Sequence, residues 1–402
     1  MTHCDSDRGA CVGCLVSADC DATAPVCDPT SQACRGCTAD NECGSGVCDI
    51  AAGSCVSESN VVYAAPAATA ASACTKLDPC ALSKAFMLVD ATRDTVKMGS
   101  GTYLTGVTIG TSAAITVYGL GATLKSSISV LSGATVKVRD LAFLGDGTVY
   151  CSPATTGGPM PTIDLLNASF DTTGAITNGP FAISASACVL HIAHTKFKMP
   201  GSGSIAIYAT GELAGSGAPA NRGSIVNLDR SQIDGGEPAI GLYNYSVLHM
   251  TNSVLFGPAT LTPYQALSPD VSSTGTIDFS TFINWTWTSG NSGPVRFVAT
   301  NNLYFDGRHT DTTMYFHWSV LNGSVAEHHY DLGFPQYLMP AGTNNIHDLD
   351  PMLKDPASHD FHLITGSPAI DAADPSATPP VDFDGTSRPQ GARRDIGAFE
   401  YR

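Results

Sequence analysis

Lys137, Asp164, His191 and His249 share the second place of an eight-residue pattern that recurs along the chain, and Asp278 is read at the same place in a looser copy. Through all copies that column is Thr116, Lys137, Asp164, His191, Asn227, His249, Asp278 and Val298, with Arg139 and Asp229 two residues along on the same face. The reading sets Asp164 beside His191 and His249 beside Asp278. A carboxylate next to a histidine orients the imidazole and makes it more basic. Lys137 and Arg139 would offset the carboxylate of a uronic acid. A base at a sugar carbon and a cation at the neighbouring carboxylate are what β-elimination needs. Hydrolysis of a glycosidic bond asks for two carboxyls roughly 5–9.5 Å apart. Asp164 and Asp278 are four copies apart, about 19 Å at a ~4.8 Å strand step, and are not that pair. The candidate catalytic residues are therefore Lys137, Arg139, Asp164, His191, His249 and Asp278. The same row also reads, on general grounds more readily, as a self-neutralising polar ladder on a wet sheet, and that alternative stays open.

A second cluster lies late in the chain: Arg308, His309, His317, Glu327, His328 and His329, flanked by Trp285, Trp287, Tyr304, Tyr315, Phe316, Trp318 and Tyr330. Aromatic faces stack on sugar rings. Trp285, Trp287, Tyr304, Arg308, His309 and Trp318 are accordingly the candidate substrate contacts. The alternative is that these rings fill a wide coil end and cover its cap. No fixed ligand spacing supports a metal at His328-His329, and no metal site is expected. Asp382-x-Asp384-Gly385 has the outline of a calcium loop without the remaining ligands, and reads as a turn held by Asx hydrogen bonds. No cofactor is expected, with calcium left open. There is no glycine-rich phosphate loop between a strand and a helix, and no Gly-x-Ser-x-Gly.

The elements that must carry these side chains are legible in the spacing. Val96, Val117 and Val138 are 21 residues apart, as are Val107 and Ile128, and Ile109 and Val130, and the series continues to Val149 and Cys151. Alternating strands at that period predict a coil that closes once per repeat, a parallel β-solenoid. The eight-residue pattern appears as ITVYGLGA from Ile115, VKVRDLAF from Val136, IDLLNASF from Ile163, LHIAHTKF from Leu190, VNLDRSQI from Val226, LHMTNSVL from Leu248 and FVATNNLY from Phe297, and loosely as IDFSTFIN from Ile277. Each copy predicts a strand, a sharp bend and the start of the next strand, with places one and three inward and place two outward. The extra residues at 152–161 and 210–222 are Gly/Pro/Ser-rich and predict loops on the outer rim. Ahead of the coil, Asp78-Pro79 reads as an N-cap and first helical position, and Leu82, Ala85, Phe86 and Val89 as the apolar face of a short capping helix.

Cysteine use is lopsided: ten of the 14 fall before residue 56. Cys-Asp-x5-Cys starts at Cys4, Cys27 and Cys48 and closes at Cys11, Cys34 and Cys55. Gly-Cys-x5-Cys starts at Cys14 and Cys37 and closes at Cys20 and Cys43. This is two full modules and the second half of a third, so the chain is expected to begin inside an array, with any leader upstream. Modules almost without Leu, Ile or Phe cannot bury a core and must be stapled. Disulfides are expected over zinc, despite Cys11-x2-Cys14 and Cys34-x2-Cys37, because the array has one His and no paired knuckles. Cys74 and Cys80 bracket a turn and are expected to pair locally. Three segments follow: 1–56, a disulfide-rich array; 57–73, a linker or first strand; and 74–402, the coil with its two caps.

Residues 4–55 resemble the Cys-rich repeats of secreted and surface proteins of myxobacteria and their relatives. Asp94-Thr95-Val96 to Gly101-Thr102-Tyr103 resembles the first rungs of the pectate-lyase-like superfamily of bacterial secreted proteins. The closing run resembles that superfamily's C-terminal signature: Ser367-Pro368-Ala369-Ile370-Asp371, Asp382-Phe383-Asp384-Gly385, Arg388-Pro389, then Asp395 to Tyr401. The resemblance implies an all-β fold, a right-handed single-stranded parallel β-helix of about ten rungs. It implies activity weakly, because lyases, hydrolases and adhesins share that scaffold. The net charge of −16 argues against nucleic acid and anionic membranes as partners, and no apolar run nears eighteen residues. Two functions remain in view. One is a secreted or surface protein that binds extracellular polysaccharide and, as an enzyme, would cleave it by elimination. The other is a non-catalytic surface protein that binds glycans or other proteins.

Overall fold

The computed structural model describes residues 3–5, 10–110, 114–131, 133–175, 181–200, 203–215, 218, 220–257, 264–270, 272–287, 296–305, 325–329, 331–334, 343–347 and 349–402, and for 3–5, 10–11, 264, 285–287, 325–329 and 334 it describes the backbone alone. The chain forms two compact units, residues 1–101 with 115–120, and residues 102–114 with 121–402. No helix among the described residues is long and apolar enough to cross a membrane.

In the first unit the cysteines pair first with third and second with fourth in each module: Cys14–Cys27 and Cys20–Cys34, then Cys37–Cys48 and Cys43–Cys55. The second module repeats the turn contacts of the first. Asp19 accepts from the Leu15 and Val16 amides, and Glu42 from those of Thr38 and Ala39. Asp28 closes a turn on Thr30 and Ser31, and Asp49 one on Ala51 and Ala52. Each crosslink closes a span of 11 to 14 residues, worth about 3 kcal/mol by loop entropy, in place of a core the module lacks. Cys4 and Cys11 face each other across a strand pair, and their side chains lie outside the described residues. Cys74–Cys80 forms as expected.

Val61–Ala64 is a strand paired in parallel with Thr95–Met98, which in turn pairs with Ala114–Tyr118 through Val96 and Val117. The second cysteine module is fastened to this sheet by Lys97 Nζ to Asp40 at 2.7 Å and by the Tyr63 hydroxyl donating to the Ser45 carbonyl. The helix spans Leu82–Met87 and buries Leu82 and Ala85. Its N-cap is Ala81, with no side-chain cap, so the expected cap at Asp78 is corrected. Asp78, inside the disulfide-closed loop, instead accepts from the Ala73 amide just ahead of it.

The second unit is a parallel β-helix of three sheets. Sheet A holds Thr135–Arg139, Thr162–Leu166, Val189–Ala193, Ile225–Asp229, Val247–Thr251, Thr274–Asp278, Arg296–Thr300 and Val325–His329. Sheet B carries the strands that follow each bend, from Ala122–Leu124 onward, and sheet C the return strands from Val107–Ile109 to Trp285–Trp287. In this unit sheet A holds eight described rungs, in keeping with a coil of about ten. The pairs Val107↔Ile128, Ile109↔Val130, Ile128↔Val149 and Val130↔Cys151 follow the 21-residue spacing. The right-handed sense is the one that parallel crossovers adopt.

The repeat explains the bend. Place five is left-handed at every copy from 140 to 301: Asp140, Asn167, His194, Arg230, Asn252, Phe279 and Asn301 have φ between 43° and 61°. Asn and Asp tolerate that region best. Place eight then points inward, and Phe143, Phe170 and Phe197 stack at 4.4 and 5.0 Å in the core. From Thr195 onward place six is buried and holds a polar ladder. The Thr195 amide donates to Ser231 Oγ, Ser231 to Ser253, Ser253 to Ser280, Ser280 to Asn302 Oδ1, and Asn302 to Asp331. A disulfide, Cys151–Cys188, ties neighbouring rungs. It was not among the expected pairs.

The outward residues of sheet B change character along the coil. They are Lys196 and Lys198, then Gln232 and Asp234, then Val254 and Phe256, then Thr281 and Ile283. From Val254 onward the C-terminal segment covers them, packing Leu353, Phe361, Leu363, Ile396, Ala398 and Phe399 against Val254, Ile283 and Leu303. The cap therefore lies along the side of the coil.

Candidate functional site on the outer face of sheet A

Strand register fixes which side chains share a row. Lys137 pairs with Asp164, Asp164 with His191, His191 with Asn227, Asn227 with His249, and His249 with Thr276. Lys137, His191 and His249 are exposed and Asp164 and Asn227 half-buried, so this is an outward face. Five steps of ~4.8 Å make a row about 24 Å long. Asn227 Nδ2 donates to the Leu190 carbonyl, and His249 Nδ1 lies 3.0 Å from Thr276 Oγ1.

Asp278 does not stand beside His249. It pairs with Thr251, one column over, in the series Arg139, Leu166, Ala193, Asp229, Thr251, Asp278, Thr300. The physical reason is Gly275, which takes the inward place where the pattern demands an apolar residue. A Cβ there would sit 2.6 Å from Cε1 of Phe297 and 2.7 Å from the Leu248 carbonyl oxygen, so the Phe297 ring fills the space a side chain would need. Ile277 is thus the second inward residue of its strand rather than the first.

In its true place Asp278 lines an open pocket of about 520 Å³ with Asp229, Arg230, Thr251, Asn252 and the strap 378–381. Burial pushes its carboxyl up to about 6, against the opposing hydrogen bond from Asn301 Nδ2 at 2.9 Å. Asp229 Oδ2 is held at 2.7 Å by Arg230 Nε. A second open pocket, of about 490 Å³, is lined by Leu104, Lys125, Leu144, Asp146, Asp171 and Thr173.

The late cluster fares differently. Tyr304 is buried in the core and stacks on Phe282 at 5.1 Å, so it is not a substrate contact; it occupies place eight, which alternation turns inward. Trp285–Trp287 is a strand of sheet C and Val325–His329 one of sheet A, but the side chains of Trp285, Trp287, Glu327, His328 and His329 lie outside the described residues, as do Arg308, His309, His317, Trp318, Tyr315, Phe316 and Tyr330 altogether.

Among the described residues, the clusters close enough to hold a metal are committed elsewhere. The sulfur triads Cys14/Cys20/Cys27 and Cys37/Cys43/Cys48 are committed to disulfides. Asp382 accepts from the Thr386 and Glu400 amides, and Asp384 Oδ2 contacts His362 Nε2 at 2.8 Å. His362 Nδ1 lies 2.6 Å from Asp360, giving an Asp–His–Asp bridge that the sequence pattern does not signal.

No protein-family profile matches this sequence, and no curated protein matches it. Among solved structures, the crystal structure of pectate lyase Pel9A matches with a TM-score of 0.43 at 13% identity, over 85% of this chain and 96% of that one.

Proposed function

We propose that this is an extracellular protein that binds polysaccharide along the outer face of sheet A. The observation that carries this reading is the in-register outward row Lys137, Asp164, His191, Asn227, His249 and Thr276. Donors and acceptors one ~4.8 Å step apart suit the hydroxyls of an extended sugar chain, and Lys137 suits a uronate. The six described disulfides belong to an oxidising compartment. The reaction the row suits best is β-elimination, with His191 as base beside Asp164, and Lys137 countering the carboxylate. A non-catalytic role is the second reading, favoured by the contact of His249 with Thr276 in place of a carboxylate.

Incubation with a panel of uronic-acid polymers, followed by ultraviolet absorbance of unsaturated products, separates the two. As a lyase, the protein releases such products, and His191→Ala slows release about 10²–10⁴-fold while binding is kept. Binding without product growth selects the second reading. Full activity after joint replacement of Lys137, His191 and His249 rules out the row as the site.

A further inference from the structure

We propose that the outer face of sheet A takes a mixed glycan, in which one uronate is separated from the next by a run of uncharged sugars, and that Lys137 and Arg139 hold the uronate. This rests on the reading that the face binds polysaccharide, and it names the class of polymer.

Charge is unevenly placed on this face. Register sets six steps between the strand that starts at Thr135 and the strand that starts at Arg296, about 29 Å at ~4.8 Å each. Lys137 and Arg139 stand at outward places of the first strand, and Arg296 at an outward place of the last. The five described strands between them carry no lysine or arginine. Their outward places hold three carboxylates instead, Asp164, Asp229 and Asp278. Arg230, at the bend, answers one of these, with Nε 2.7 Å from Asp229 Oδ2. Asp164 and Asp278 keep the middle of the face acidic, in a chain whose net charge is −16.

That distribution discriminates between polymers. A homopolymer of uronates laid along the row sets its carboxylates against the acidic stretch, where no lysine or arginine of those strands meets them. Like charges brought together in this way exclude a partner. A polymer with one uronate at the cationic end, followed by uncharged sugars, gains the attraction and avoids the repulsion.

The middle of the face also suits uncharged rings. Val189, Ile225 and Val247 form a column of β-branched side chains, paired rung to rung and half-buried. They offer apolar surface to the C–H faces of sugars. In the next column His191, Asn227 and His249 offer donors and acceptors to the hydroxyls.

The test measures binding to the full chain by calorimetry, with fragments of matched length from polymers of three kinds. Gellan sets glucuronate among neutral sugars in its backbone, homogalacturonan and alginate are uronate throughout, and mixed-linkage β-glucan is neutral. Gellan is expected to bind at least about tenfold more tightly than either all-uronate polymer, and about tenfold more tightly than β-glucan. Lys137→Gln should lower gellan affinity about tenfold, to the level of β-glucan. Ala193→Lys puts a cation at a half-buried outward place in the middle of the face and should raise homogalacturonan affinity about tenfold. Homogalacturonan or alginate bound as tightly as gellan, or gellan affinity untouched by Lys137→Gln, overturns the proposal and leaves sheet-face binding standing. So does homogalacturonan affinity that Ala193→Lys fails to raise. No binding to any of these polymers removes the sheet-face reading and this one with it.

Discussion

Arg388 fastens the C-terminal segment to the coil. Its guanidinium is buried, pairs with the equally buried Glu400 at 2.8 Å, donates to the Asp395 and Gly397 carbonyls, and lies 4.5 Å from the Phe279 ring centroid. Removing one partner of such a pair strands the other charge without water. Arg388→Ala should cost about 3–5 kcal/mol, read as a lower urea midpoint, and Arg388→Lys should recover little because one ammonium cannot span the same acceptors. An unchanged midpoint would mean Glu400 is solvated. Gly275 makes a converse claim. Gly275→Ala should cost about 1–3 kcal/mol by overpacking against Phe297, and adding Phe297→Leu should return part of it. Equal stability of wild type and single variant would sink the account of register given above. This is also where residue-level reading of the sequence ended. The inward place at Gly275 is invisible to an apolar pattern, which therefore sets Asp278 one column away from where it stands. Cys151 and Cys188 sit 37 residues apart on neighbouring rungs, and only a three-dimensional register brings them together.

At the level of elements the repeat was far more legible, because each place has one physical job. Places one and three are apolar because they face the core, place five is left-handed, and from Ser231 onward place six is polar because its side chain accepts an amide from the rung before. That last role makes a prediction. Ser231 Oγ accepts the Thr195 amide at 3.1 Å and donates to the Asp229 carbonyl at 2.9 Å, both out of water. Ser231→Ala leaves that buried amide without an acceptor and should cost about 1–3 kcal/mol. Native-state hydrogen exchange should speed up at Thr195 before other core amides. Uniform acceleration across the coil would argue against a local bond of that kind. The capping helix shows the limit of the same reasoning. Asp-Pro is a sound helix start in isolation, but the Cys74–Cys80 closure recruits Asp78 for its own turn, and the helix starts later at Leu82. The outer face of sheet B was legible in principle too. Its switch from Lys196 and Lys198 to Val254 and Phe256 marks where the chain's own end returns to cover it.

For the second unit as a whole, three groups in or under the C-terminal segment respond to pH in one direction. Burial pushes Asp395 up to about 6, against hydrogen bonds from the Asp371 and Tyr401 amides, and burial does the same to Asp278. An unfolded aspartate titrates near ~3.9, so the folded state binds these protons more tightly, and stability falls as pH rises from about 4 through about 6. Burial pulls His362 down, but hydrogen bonds to Asp384 and Asp360 outweigh it and its value is raised. Its contribution is complete below the unfolded histidine value of ~6.5 and is lost as pH climbs through the raised one. Asp360 runs the other way: hydrogen bonds from Lys354 and His362 hold it down to about 2, so its contribution is present above the unfolded aspartate value and lost as pH falls toward 2. The sum is a segment held best in mildly acidic solution. Hydrogen exchange at Leu363 and Ile396, compared at matched intrinsic rates, should report opening that becomes easier between pH 5 and pH 8. His362→Gln should flatten the part of that trend above ~6.5 and leave the part below it. A profile in which wild type and His362→Gln run parallel above that point would show that the Asp360–His362–Asp384 bridge does not hold the segment, and that the acidic interior alone sets its response.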